Sequence, residues 1–148
     1  MNYSPLRSRS RKGSIPESDP SVVLPPDWYK YKVLKGVDRT KPGIYIWCIA
    51  GVGSYVGKFK RISRPTRHYT RNIRRLLNNL PYRRSNPTGF RNIHHKLAEA
   101  HLTKRAIKLI ILENVPLPHI NQRERELIAK HGSLNVPKLG RTRKRKRG

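Results

Sequence analysis

Gly43-Ile44-Tyr45-Ile46-Trp47-Cys48-Ile49-Ala50-Gly51-Val52-Gly53-Ser54-Tyr55-Val56-Gly57-Lys58 is the stretch that decides the fold. Its first arm is β-branched and aromatic, a composition that favours the pleated, half-buried surface of a strand. Gly51 and Gly53 accept the positive φ that a tight hairpin demands. With Gly51-Val52-Gly53 as a three-residue loop and Gly53 left-handed, odd-numbered residues of both arms share a face. Tyr45 and Tyr55 then project to the same side, and beside Lys58 they form a polar cluster that a phosphate can meet.

Outward from the hairpin, composition bounds the rest. A chain of 148 residues makes one domain with one modest core. Lys and Arg number 34 against 8 acidic residues, a formal charge of +26. That excess speaks of partners rather than fold, and it points to a polyanion, above all nucleic acid. No apolar run approaches the ~18 residues of a membrane span. Arg7, Arg9, Arg11 and Lys12 have no apolar segment behind them, so no secretory leader is expected. The expected location is cytoplasmic, including a nucleoid or phage context, with no membrane partner. Cys48 is the only cysteine, which excludes an internal disulfide and a thiolate zinc cluster and suits a reducing interior. None of the carboxylates is followed two residues later by Lys, so the acid-x-Lys pair of many restriction-type nucleases is absent. Beyond residue 40 only Glu99, Glu113, Glu124 and Glu126 remain. Two-metal sites need several carboxylates to hold cations about 4 Å apart, so a metal site here is a single-metal site.

Residues 1–26 carry Ser, Pro and Arg without periodicity and read as a disordered basic arm, either a phosphate grip or a solubilising tail. Residues 27–42 are a short lead-in. Within it Trp28, Tyr29, Tyr31 and Val33 make a short strand or a packing segment over the core edge, with Trp28 read as core or rim in preference to a base-stacking platform. After the hairpin and the basic run Lys60-Arg61, Ser63 is the expected N-cap of a helix reaching about Leu80, with Pro65 in its first turn. Tyr69, Ile73, Leu76, Leu77 and Leu80 give its buried stripe. Arg64, Arg67, Arg71 and Arg74 recur on the opposite face, with no acid between Asp38 and Glu99. Such a ridge matches a phosphate backbone, and Arg61, Arg67, Arg71, Arg74, Arg83 and Arg84 are the candidate nucleic-acid contacts. Residues from Pro87 to about His101 read as a helix with Phe90, Ile93 and Leu97 inward. His94, His95 and His101 lack a ligand spacing and read as surface or phosphate-facing. Ala106–Leu112 is the strongest strand, apolar enough to be central. Asn121 is the expected cap of a helix from Gln122 to His131, closed by Gly132. Residues 137–148 form a basic tail, a DNA-gripping extension or a nuclear import signal.

Glu124 has two readings. It lies three residues after Asn121, the spacing of a capping box. It also shares a helical face with Ile120, Leu127, Ile128 and His131, which leans its carboxylate toward the core side, whereas Glu126 faces solvent. An acid turned inward in so basic a chain needs an arginine or a metal as partner.

Over residues 43–136 the chain resembles the GIY-YIG nuclease family. Gly43-Ile44-Tyr45 stands for the first triplet and Tyr55-Val56-Gly57 for the second. Lys58 follows as a lysine does in the repair-nuclease branch. Arg64 and His68 match an Arg with His or Tyr four residues on, with Arg67 and Tyr69 as a rival register. Glu124, Leu127-Ile128 and Asn135 look like the family's metal-binding Glu, its apolar pair and the trailing Asn. The resemblance implies a DNA endonuclease that hydrolyses phosphodiesters with one Mg²⁺ or Mn²⁺. Glu124 would hold the metal and Tyr45 would take the proton of the attacking water, its pKa depressed by nearby cations. Arg64 and Lys58 would supply positive charge, Tyr55 and His68 would orient water or phosphate, and Asn135 would hold Glu124 or its loop.

The expected fold is a small α/β sandwich, GIY-YIG-like, with a three-stranded, mostly antiparallel sheet, flanking helices and basic disordered tails. DNA is the expected partner, with a homodimer or a partner from a larger system as sources of specificity. The alternative is a non-catalytic basic protein that binds RNA or DNA, which the charge alone fits equally. A histidine-based ββα-metal nuclease fits poorly, because His94-His95 falls in a helical pattern.

Overall fold

The computed structural model describes residues 22–135. The arm up to residue 21 and the tail from residue 136, with the expectations attached to them, lie outside the described residues. Four strands form one mixed sheet: β1 (Lys30–Val33), β2 (Gly43–Ile49), β3 (Gly53–Phe59) and β4 (Ile107–Asn114), in the order β1-β4-β2-β3. β2 pairs antiparallel with β3 on one side and with β4 on the other. β4 is thus an inner strand, as its apolar run requires.

The fourth strand corrects the expectation of three. β1 pairs parallel with β4, Lys30 against Lys108 through Val33 against Ile111. The lead-in segment therefore belongs to the sheet. The end of the expected arm is docked as well: the Val22 N–H donates to Asn78 Oδ1 at 3.0 Å and Leu24 packs on the core.

Alternation along β2 divides the interior. Tyr45, Trp47 and Ile49 face α1 (Tyr69–Leu77) and α2 (Asn92–Leu102), where they meet Phe59, Tyr69, Ile73, Ile93, Leu97, Leu109 and Ile111. Ile44 and Ile46 face α3 (Leu117–His131) and meet Val56, Ile120 and Leu127. The result is a sheet between a two-helix layer and a single helix. A bulge between Ile44 and Tyr45 places Glu113 opposite Ile44, hence on the α3 face. There Arg123 grips both its carboxylate oxygens, at 2.7 and 3.1 Å. Gly43 is required at this bulge, because a Cβ would run into the Glu113 carbonyl.

The helix after the hairpin departs from the regular one expected. Arg64–His68 forms a wide turn in which the His68 N–H reaches back five residues to the Ser63 carbonyl, at 2.9 Å. Ser63 has helical φ and ψ and makes no side-chain cap. α1 ends at Leu77, three residues early, because Asn79 takes a left-handed φ of 58° that a helix cannot continue. Leu80 is consequently 42 % exposed rather than buried. α3 starts at Leu117, so Asn121 lies within the helix and does not cap it. Pro118 is tolerated there because an N–H at that position would have no helical carbonyl to bond to. His94 is fully buried, not surface-facing, with Nδ1 accepting the Arg91 N–H at 2.9 Å. Burial and the charges of Arg91 and His95 push its pKa down to about 3, so it is neutral. His131 is exposed rather than inward. Among the described residues no helix is long and apolar enough to cross a membrane.

Candidate active site

The strand register puts Tyr45 opposite Gly57 and Trp47 opposite Tyr55, so both phenols lie on the α1–α2 face. The Tyr45 ring lies across Gly57, and any side chain there would collide with the ring and its hydroxyl. Glycine at 57 thus makes the space that Tyr45 fills. Tyr45 and Tyr69 are each 1 % exposed, and their hydroxyls are 2.8 Å apart. Arg91, immediately before α2, donates through Nη1 to Tyr55 Oη at 3.1 Å and through Nη2 to Tyr69 Oη at 3.0 Å.

The opposite wall comes from α3. Lys58 pairs with Ile44, so it lies on the α3 face of β3 and reaches the cleft shared with the phenols from that side. Its ammonium donates to Asn121 Oδ1. β3 is an edge strand, and the cleft wraps around it. In a volume of about 580 Å³ it brings together Tyr45, Tyr55, Lys58, Arg64 and Glu124, joined by Arg91, Lys60 and Asn121. Glu124 follows Ile120, a core residue, by one helical turn, which explains its inward lean. Glu126 instead faces solvent and pairs with Arg123 at 3.0 Å.

Two expected members are elsewhere. His68 is exposed and does not line the cleft. Partial burial, with Arg71, Arg67, Arg64 and Arg83 around it, lowers its pKa. Asn135 does not line the cleft. Its side chain clamps the Val56 backbone, accepting the N–H and donating to the carbonyl, both at 2.9 Å. Leu134 N–H adds a bond to the Ser54 carbonyl at 2.8 Å, so residues 133–135 cover the free edge of β3. Arg64, and not Arg67, lines the cleft. The wide turn shifts the phase between them and α1, so the four arginines do not form the regular ridge of one α-helix. Arg61, Arg67, Arg71, Arg74, Arg83 and Arg84 are all exposed.

The electrostatics correct one further expectation. The Tyr45 phenol is not depressed. Burial and the neighbouring Tyr55 push it up to about 12, outweighing the Tyr69 hydrogen bond and the charges of Arg91 and Arg64. Tyr69 is raised well above the usual value by burial and by Tyr45. Burial opposes the Arg91 charge, but Tyr69, Tyr55 and Tyr45 together hold its guanidinium more firmly protonated than usual.

Glu124 is the single carboxylate of the cleft, against the cations Lys58, Lys60, Arg64 and Arg91. Among the described residues no three His, Cys, Asp or Glu side chains group as a metal cage. One carboxylate with no thiolate or imidazole suits a hard divalent cation that keeps its waters and shares a substrate phosphate, the habit of Mg²⁺. The donor set therefore fits a Mg²⁺ or Mn²⁺ held by Glu124 and does not fit zinc.

Sequence reasoning missed Arg91, one cation among many in a basic loop. Its only local mark is His94 three residues on, whose imidazole receives the Arg91 N–H and fixes the helix start. Tyr69 was read as core and as the rival register. It is indeed core, but its hydroxyl joins the phenol network. Comparison with family models, with curated proteins and with solved structures finds no match to this chain.

Proposed function

We propose that this chain is a metal-dependent DNA endonuclease of the GIY-YIG kind. One observation carries the reading: Tyr45, Tyr55, Lys58, Arg64 and Glu124, from a hairpin, a turn and a late helix, line the same cleft. A protein that only binds nucleic acid has no use for a lone carboxylate among four cations and two phenols.

In this reading Glu124 would hold one Mg²⁺ or Mn²⁺, which when bound would supply Lewis-acid stabilisation of the leaving 3′-oxygen and of charge on the phosphate. Lys58 and Arg64 bind non-bridging phosphate oxygens through charge-assisted hydrogen bonds. Tyr55 orients the phosphate or the attacking water. Tyr45 is protonated in the resting protein at neutral pH, given its pKa of about 12. As a base it acts through its minor phenolate form, whose share grows tenfold with each pH unit below that value, so the cleavage rate climbs with pH through the neutral range. The exposed Arg61, Arg67, Arg71, Arg74, Arg83 and Arg84 hold the DNA backbone outside the cleft.

The test is nicking of supercoiled plasmid by purified protein with Mg²⁺ or Mn²⁺. Glu124→Ala and Tyr45→Phe are expected to lose on the order of 10³-fold in rate while keeping DNA affinity. Undiminished cutting by both variants overturns the reading. Salt-steep binding with no cleavage under either metal favours the non-catalytic binder.

A further inference from the structure

The hydrogen-bond donors at the base of the cleft can be counted, and the count fixes a direction. A guanidinium donates and never accepts. Arg91 therefore donates to both Tyr55 Oη and Tyr69 Oη. Tyr69 is 1 % exposed, and its remaining neighbour is Tyr45 Oη, where either oxygen can be the donor. Were Tyr45 the donor, Tyr69 would accept twice and its own buried proton would face no acceptor among the described bonds. Buried hydroxyl protons are rarely left so. In the order Arg91 to Tyr69 to Tyr45 the Tyr69 proton has an acceptor, and the one left over belongs to Tyr45, which lines the cleft as Tyr69 does not. That order leaves the Tyr45 proton directed out of the chain, toward the cleft that Tyr45 lines. Tyr55, which also lines the cleft, accepts from Arg91 and likewise keeps its own proton to give.

We propose that Arg91 is a positioning residue that, directly at Tyr55 and through Tyr69 at Tyr45, turns both phenol O–H groups onto one non-bridging oxygen of a phosphate in the cleft. The inference deepens the endonuclease reading, rests on its phosphate site and concerns Tyr45 in its protonated resting form, before the minor phenolate acts as base. The other groups around the phenols favour the same ligand or leave it alone. Arg64 from the wide turn, Lys58 from β3 and Lys60 just after it add positive charge. His94, packed on the Tyr69 ring at 5.2 Å, is neutral. Glu124 on α3 is the one anion across the cleft. A guanidinium is also the right anchor for the task, since its planar fork fixes the directions of both donors, whereas the three donors of an ammonium rotate freely.

The experiment uses the full chain with tyrosine labelled at Cζ with ¹³C, titrated with inorganic phosphate in the absence of metal. So basic a protein binds phosphate at many places, and the Tyr45 and Tyr55 resonances isolate this one. Both should move saturably in the unaltered chain. Tyr69→Phe keeps the ring and removes the relay, so the Tyr45 midpoint should weaken about tenfold while that of Tyr55 holds. Arg91→Lys should weaken both. Unchanged Tyr45 midpoints in both variants, with a native near-UV spectrum, overturn the proposal, and so do phenol resonances that ignore phosphate in the unaltered chain. If Arg91→Lys does not fold, Tyr69→Phe decides alone. Plasmid assays separate the two readings: a chain that cuts DNA with unresponsive phenols refutes this inference only, whereas responsive phenols without cutting refute only the nuclease.

Discussion

Two aromatic clusters share the α1–α2 side of the sheet, and they are built on different plans. In the first, Trp28 stacks on Trp47 with centroids 5.4 Å apart, and Tyr29 meets both edge-on at 4.8 and 5.0 Å. Rings meet rings, and the polar atom Trp28 Nε1 is settled locally on Thr70 Oγ1 at 3.1 Å. In the second, the hydroxyls of Tyr45, Tyr55 and Tyr69 are tied together by one arginine. Trp47 is the wall between them, 5.3 Å from Tyr69 on its other side. The same residue types serve a core in one place and a site in the other. What separates them is where the oxygens go, which ring burial alone does not reveal.

Removing the shared wall should break both clusters. Trp47→Ala should cost about 3–5 kcal/mol, read as a shift in the urea midpoint, because a fully buried indole leaves a cavity. Alkaline titration should then tell the clusters apart. Tyr45 titrates near 12 in the folded chain against about 10 when unfolded, so its contribution is intact below pH 10 and disappears as pH rises from 10 to 12. The loss should approach about 3 kcal/mol at about 1.4 kcal/mol per unit. Tyr69, shifted the same way, adds to it. Tyr45→Phe should flatten the slope, and Tyr29→Phe, at a half-buried ring of the other cluster, should leave most of it. A slope that survives Tyr45→Phe would mean the phenol network is not what resists ionisation. The smallest effect is expected outside both clusters. Arg74→Ala, on the exposed side of α1, should reduce the slope of log affinity for duplex DNA against log salt by about 0.9, with cleavage of bound DNA unchanged.

The hairpin, the common face of its odd-numbered residues and the inner position of β4 were legible, because alternation and an unbroken apolar run are local properties. The loop itself is Ala50-Gly51-Val52, with Gly53 already paired to Ile49, so the pairing is shifted by two residues from the one expected. The phase of Glu124 with Ile120 and Leu127 was legible for the same reason, although the helix starts four residues before the cap assigned to it. β1 was only half legible. Three of its four residues are exposed, so it shows no alternation, and its partner β4 lies far along the chain. The wide turn at Arg64–His68 could not be foreseen from a pattern that assumes one helical period throughout, and His68, assigned to the site by the resemblance, falls outside the cleft. The ionisation of Tyr45 was misjudged by counting nearby cations and not the completeness of its burial. Arg91 was invisible because its role depends on two oxygens brought to it from distant segments.

The cover over Val56 by Asn135 has a consequence for how copies of this chain can associate. A strand whose outer amide and carbonyl are already taken cannot recruit a neighbour's strand, so growth of the sheet through β3 is blocked and the cleft beside it stays uncrowded. The other border, β1, presents Lys30 and Lys32 to solvent, and two like-charged borders repel. Self-stacking into ribbons is thus discouraged at both ends, by a latch at one and by electrostatic repulsion at the other.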